Sequence, residues 1–268
     1  MIYAINIHIT PKISGSIPLY SGELINAVFY NIIKNIDKEI FYEIHTNSNI
    51  KLFTISPLMS TDLKIKNNKI LIDKKNRYYF RITLLDELLS EKIIHYLINN
   101  LKFINIANIN FSVNDIEINS DNKKILNFTT YKKIYKSASS KNKKFIIKFY
   151  TPTIFKVNNY YTPFPLPSLV FKLLFVKWNT FSPIKFDIKS YQNIDNFIYT
   201  LKYKLKTQSI YHNKLILHGF IGEASYIIKS KDRDIIKTIN TLKDYIIFAG
   251  IGYHTTMGMG VAKAVNIL

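Results

Sequence analysis

A chain of 268 residues that is 47% hydrophobic and 14% aromatic, with only 8 Gly and 8 Pro, holds enough apolar side chain for two cores and is neither disordered nor fibrous in composition. The lack of cysteine excludes a disulfide framework and a thiolate metal site, argues against zinc, and fits a reducing compartment. The 37 Lys and Arg against 18 Asp and Glu leave a net charge of +19, which calls for a polyanionic partner, nucleic acid first and a membrane surface as the minor competitor. An AT-rich genome accounts for Lys in place of Arg but not for the shortage of acids.

In chain order, Ile2 to Ile9 alternates as a strand, without the basic start and apolar core of a signal peptide. Helical spacing follows over Gly22 to Asn35 and again over Asp37 to Ile44. Leu52 to Ser56, Lys69 to Asp73 and Tyr78 to Leu84 read as short strands, and Asp86 caps a helix running to about Asn99. A strand near Phe111 to Ile118 closes a β-α-β-β-α-β order.

The polar segment Asn119 to Lys124 marks the boundary, giving units 1–122 and 123–268, and the run Lys136 to Lys144 reads as a loop. Lys144 to Tyr150 is a strand; Pro165 and Pro167 open a helix to Trp178; Phe197 to Thr207 and Lys214 to Lys229 form a hairpin. Lys231 to Phe248 is an amphipathic helix and Val261 to Leu268 the last strand. The same order thus appears twice, and the expected class is α+β with two tandem ferredoxin-like (βαββαβ) domains. The longest apolar stretch, Leu166 to Trp178, is broken by Lys172 and Lys177 and is too short to span a bilayer, so a soluble cytoplasmic protein without membrane attachment is expected.

The connection between the last helix and last strand, Gly250-Ile-Gly252-Tyr-His254-Thr-Thr-Met-Gly258-Met-Gly260, holds half of the chain's glycine. It lacks the Gly-Lys-Ser/Thr ending of a phosphate-binding loop and precedes a strand, unlike a dinucleotide fingerprint. Two readings stay open: converging backbone N–H groups that hold phosphate, or a tight turn packed on the protein itself.

This stretch resembles the C-terminal signature of the CRISPR-associated repeat-processing endoribonucleases, the Cas-six family of the repeat-associated mysterious proteins. Pro165 to Asn179 is similar to the family's C-terminal helix, His218 to Gly222 to the strand before its last helix, and Phe53 to Leu58 to a strand of its first domain. The resemblance implies two ferredoxin-like domains and cleavage of CRISPR precursor RNA within repeats, without metal or other cofactor. The ribose 2′-hydroxyl attacks the adjacent phosphate and leaves a 2′,3′-cyclic phosphate. It implies CRISPR repeat RNA as partner, with an interference complex as a further one, in a monomer or homodimer. A non-catalytic crRNA-binding subunit of the same superfamily is the alternative, and an RNA-recognition-motif module a more distant one.

Such cleavage needs a base, an acid and positive charge near the phosphate. His45, in the polar segment after the second helical stretch, is the best-placed histidine for a proton role. In an archaeal branch of the family a tyrosine, a histidine and a lysine form the site, and Tyr30, His45 and Lys51 stand at the same separations here. The resemblance gives Tyr30 to the base, His45 to acid or base chemistry, and Lys51 to phosphate charge. The plainer readings are a core-facing Tyr30 beside Ala27 and Ile33, and a solvated Lys51.

RNA contacts are expected from Gly250, Gly252, His254, Gly258 and Gly260, from a ladder of Lys202, Lys204 and Lys206 at strand period, and from Arg77 and Arg81, four apart in one strand. His212 is a further RNA-contact candidate, and Tyr160 and Tyr161 are candidates for base stacking. His8 and His95 read as structural.

Overall fold

A computed structural model describes residues 1–47, 50–118, 128–187, 192–212 and 215–267, with only the backbone at positions 47 and 212. The expected boundary at Asn119 to Lys124, the side chain of His212, and Leu268 lie outside the described residues. Two compact units result. The first is Met1–Thr129 together with Thr256–Gly258; the second is Thr130–Thr255 with Met259–Leu268.

The first unit runs β1 (Ile2–Pro11), β2 (Gly15–Pro18), α1 (Gly22–Ile36), α2 (Lys38–Tyr42), β3 (Phe53–Ile55), β4 (Lys64–Lys66), β5 (Lys69–Ile72), β6 (Tyr78–Leu84), α3 (Glu87–Asn100), β7 (Phe103–Ile106), β8 (Ile109–Glu117) and β9 (Phe128–Thr129). Its main sheet has the order β3-β6-β1-β8-β7, with β9 also pairing β1. The order β3-β6-β1-β8, antiparallel at every step, is that of a ferredoxin-like sheet. Period-two alternation sends Ile5, Ile7 and Ile9 of β1 and Tyr78, Phe80 and Ile82 of β6 into one core with Ile25, Phe29 and Ile32 of α1 and Ile93 and Leu97 of α3. Strands β2, β5 and β4 form a separate small sheet.

The second unit follows with α4 (Tyr131–Ser137), β10 (Lys144–Thr153), β11 (Phe155–Val157), β12 (Tyr160–Thr162), α5 (Pro167–Phe181), β13 (Ile198–His212), β14 (Leu215–Ile228), α6 (Arg233–Ala249) and β15 (Ala262–Asn266). Its sheet order, β13-β14-β10-β15, repeats the ferredoxin-like order of the first unit. Pro167 opens α5, where no amide donor is needed, and Asp232 caps α6 by accepting from the amides of Asp234 and Ile235. The core closes on Trp178, edge-on to both Tyr131 and Tyr245, whose hydroxyls meet at 3.1 Å. Both units therefore have the expected class and element order. Among the described residues no helix is long and apolar enough to cross a membrane.

Candidate catalytic cluster and RNA interface

Tyr30, His45 and Lys51 converge within the first unit. Asp37 ends α1 and caps α2, accepting from Glu39 N at 2.8 Å and Ile40 N at 3.2 Å, so the chain folds back along the helix it has just left. Glu43–Asn47 continues as a π-helical turn, a form found disproportionately at functional sites, and it presents His45 exposed. The imidazole stands edge-on to Tyr30, ring centroids 5.1 Å apart at 73°, and stacks on Phe41 at 5.4 Å. Phe53 of β3 supports Tyr30 from a further edge at 5.6 Å. Lys51 Nζ donates to the carbonyl of Ile44 at 2.5 Å and of His45 at 3.2 Å, fastening the far end of the turn.

Burial raises the Tyr30 phenol above its ordinary pKa and lowers that of the Lys51 ammonium. Tyr30 is therefore a protonated phenol at neutral pH. Its ring also packs against the first unit's core, so the plainer reading of Tyr30 holds in part. Phe41, four residues before His45, was not singled out from sequence, although that spacing on a helical turn places the two on one face.

The glycine-rich stretch turns its close approaches onto the protein. Gly252, at φ +85°, has no room for a side chain: a Cβ there would lie 2.5 Å from the Ile154 carbonyl oxygen. The amides of Ile251, Tyr253, Met259 and Gly260 donate to Gly260, Ile154, His254 and Pro152 carbonyls, which uses up much of the expected phosphate nest. Within the first unit, Asn26 Nδ2 donates to the Thr256 carbonyl at 2.9 Å, and Gly258 approaches Gly22 so closely that a Cβ on Gly258 would lie 3.0 Å from the Gly22 Cα. His254 sits at φ +56°, its ring 3.9 Å from that of Tyr253.

In β13, Lys202, Lys204 and Lys206 are exposed on one face, paired in register with Ser225, Glu223 and Ile221 of β14. Lys148 of β10 stands on the other side of Glu223, and Lys263 of β15 opposite Lys148, so the ladder extends across the sheet. Lys148 and Lys263 escaped sequence reading, although Lys144 and Lys148, four apart in a strand, signal a shared face. Arg77 lies one residue before β6 and is exposed, whereas Arg81 lies within it with a guanidinium that burial depresses to about 10. Their four-residue spacing puts them on the same face, Arg77 exposed and Arg81 half-buried. His8 has the structural partner expected of it, Glu117 at 3.2 Å, and His95 is exposed beside Asn99.

Comparison with solved structures gives the same fold throughout. A Cas6 (TTHB231) product complex superposes with a TM-score of 0.82 at 21% identity, covering 99% of this chain and 100% of the other. Thermus thermophilus Cas6 (TTHB231) gives 0.71 at 20%, covering 99% and 98%. A Cas6-related protein from Pyrococcus furiosus gives 0.63 at 15%, covering 99% of each. Comparison with curated protein sequences yields no match. The model of the CRISPR Cas6 N-terminal domain matches residues 1–136, and that of the CRISPR-associated endoribonuclease Cas6 matches residues 147–262. The chain belongs to the Cas6 family of CRISPR-associated endoribonucleases.

Proposed function

We propose that this protein cleaves CRISPR precursor RNA within its repeats by metal-independent attack of a ribose 2′-hydroxyl on the adjacent phosphate, leaving a 2′,3′-cyclic phosphate and a 5′-hydroxyl. The observation that carries the reading is the convergence of Tyr30, His45 and Lys51 on one π-helical turn of a Cas6-family chain. His45 transfers the proton. Tyr30, held protonated by burial, donates to a phosphate or ribose oxygen and orients the imidazole through its ring edge. Two of the three Lys51 donors go to backbone carbonyls, and the third faces the charge that builds on the phosphorane. The lysine face of the second unit holds the RNA backbone.

The test is incubation of the protein with its cognate repeat RNA in excess EDTA, with the product ends mapped. Cyclic-phosphate ends, lost in His45→Ala while RNA affinity stays, are expected. Tight binding without cleavage by the unaltered protein would mean a crRNA-binding subunit instead, and cleavage that disappears on chelation would end the metal-free mechanism.

A further inference from the structure

Between β10 and α5 the chain makes a two-stranded ribbon that joins neither main sheet, β11 paired to β12 around a turn with Asn158 at φ +52°. Ribbons this short are unstable alone, so something must hold this one in place. One strand is anchored by Phe155, buried against Phe220. The other anchor is the glycine-rich stretch: Tyr253 N donates to the Ile154 carbonyl at 2.8 Å, an approach that only a glycine at 252 permits.

The anchored ribbon presents a specific set of side chains. Lys156 and Tyr161 are a cross-strand pair and share one face. The Tyr161 ring lies 5.6 Å from that of Tyr253 at 44°, and Lys156 Nζ lies 5.7 Å from the centroid of the Tyr253 ring. Tyr161 is 38% exposed although it is aromatic. We propose that Tyr161 and Tyr253, with Lys156 beside them, form a platform on which an unpaired nucleobase of the RNA stacks while the lysine neutralises its phosphate. An exposed tyrosine ring backed by a half-buried one and flanked by a cation is what single-stranded nucleic acid requires, and the +19 charge selects RNA over an apolar protein partner. The glycine-rich stretch then acts by setting the pose of Tyr253 rather than by offering its own amides.

This inference rests on the RNA-processing reading, and its test separates the two. Repeat RNAs carrying a single abasic site, moved along the unpaired positions, are titrated against the unaltered protein, Tyr161→Leu and Tyr161→Phe. At one position the abasic site weakens binding to the unaltered protein about tenfold and to Tyr161→Leu hardly at all, while Tyr161→Phe behaves as the unaltered protein. Equal abasic penalties in all three proteins overturn the platform and assign the rings to a partner other than RNA, with cleavage by the unaltered protein still intact. An unaltered protein that neither binds nor cuts repeat RNA overturns the underlying reading. Because Tyr161 is on the surface, Tyr161→Leu folds, and an unchanged melting curve checks this.

Discussion

Lys177 donates its ammonium to the Ala249 carbonyl at 2.6 Å and to Thr255 Oγ1 at 3.0 Å, with 3% of the residue exposed. Ala249 ends α6, so the charge sits where the helix dipole welcomes a cation, and Thr255 fixes the following loop. Both acceptors are neutral, and burial still prevails, bringing this ammonium down from 10.5 to about 7. Between those values the unfolded chain binds the proton and the folded one releases it, so stability rises with pH across the interval and the cost of the buried charge is fully present below about 7. Lys177→Met should flatten that rise. Urea midpoints of the two proteins at pH 7 and pH 10 measure it; parallel slopes would refute it.

For the catalytic cluster the expected order of effects is His45 first. His45→Ala should slow repeat cleavage by about a hundredfold or more, the range for losing a general acid or base. Tyr30→Phe keeps the three edge-on ring contacts with Phe41, His45 and Phe53 and loses the one hydrogen bond proposed to the RNA, so a smaller loss, about tenfold, is expected. Single-turnover rates at saturating protein separate these losses from binding.

The lysine face of β13 predicts a salt effect rather than an on–off one. Replacing Lys202, Lys204 and Lys206 with alanine removes up to three phosphate contacts, and the slope of log affinity against log salt should fall by about 2 for single-stranded RNA. Adding Lys148→Ala should lower it further. A weaker affinity with an unchanged slope would place these lysines away from the RNA.

Gly22 and Gly258 are predicted to be intolerant of alanine. A Cβ on Gly22 would lie 2.0 Å from the Met257 carbonyl oxygen, and Gly258 holds φ +86°. Either replacement should cost more than about 1 kcal/mol in urea unfolding. A stability unchanged by Gly22→Ala would show that this contact is not made.

Strands with a buried face and a capped helix were legible because the pattern is local: Ile5, Ile7 and Ile9 alternate, and Asp86 stands one residue before its helix, whereas the Asp232 cap lay inside a helix expected to begin at Lys231. What stayed hidden depends on distant pairing. β2 and β4 are three or four residues long and acquire meaning only on either side of β5, and β11 and β12 are three residues each. The separations of Tyr30, His45 and Lys51 were visible, but their approach depends on Asp37 reversing the chain. The glycines announced close approach without saying to what.

The contact between Asn26 and Thr256 spans 230 residues of sequence. A nascent chain emerges from its N-terminus, so residues 1–129 leave the ribosome long before the tripeptide that completes their unit exists. Until then the N-terminal end of α1, with Gly22 and Asn26, stays uncovered. The first unit thus reaches its final form only after the second unit's strands and helices up to Ala249 have been made.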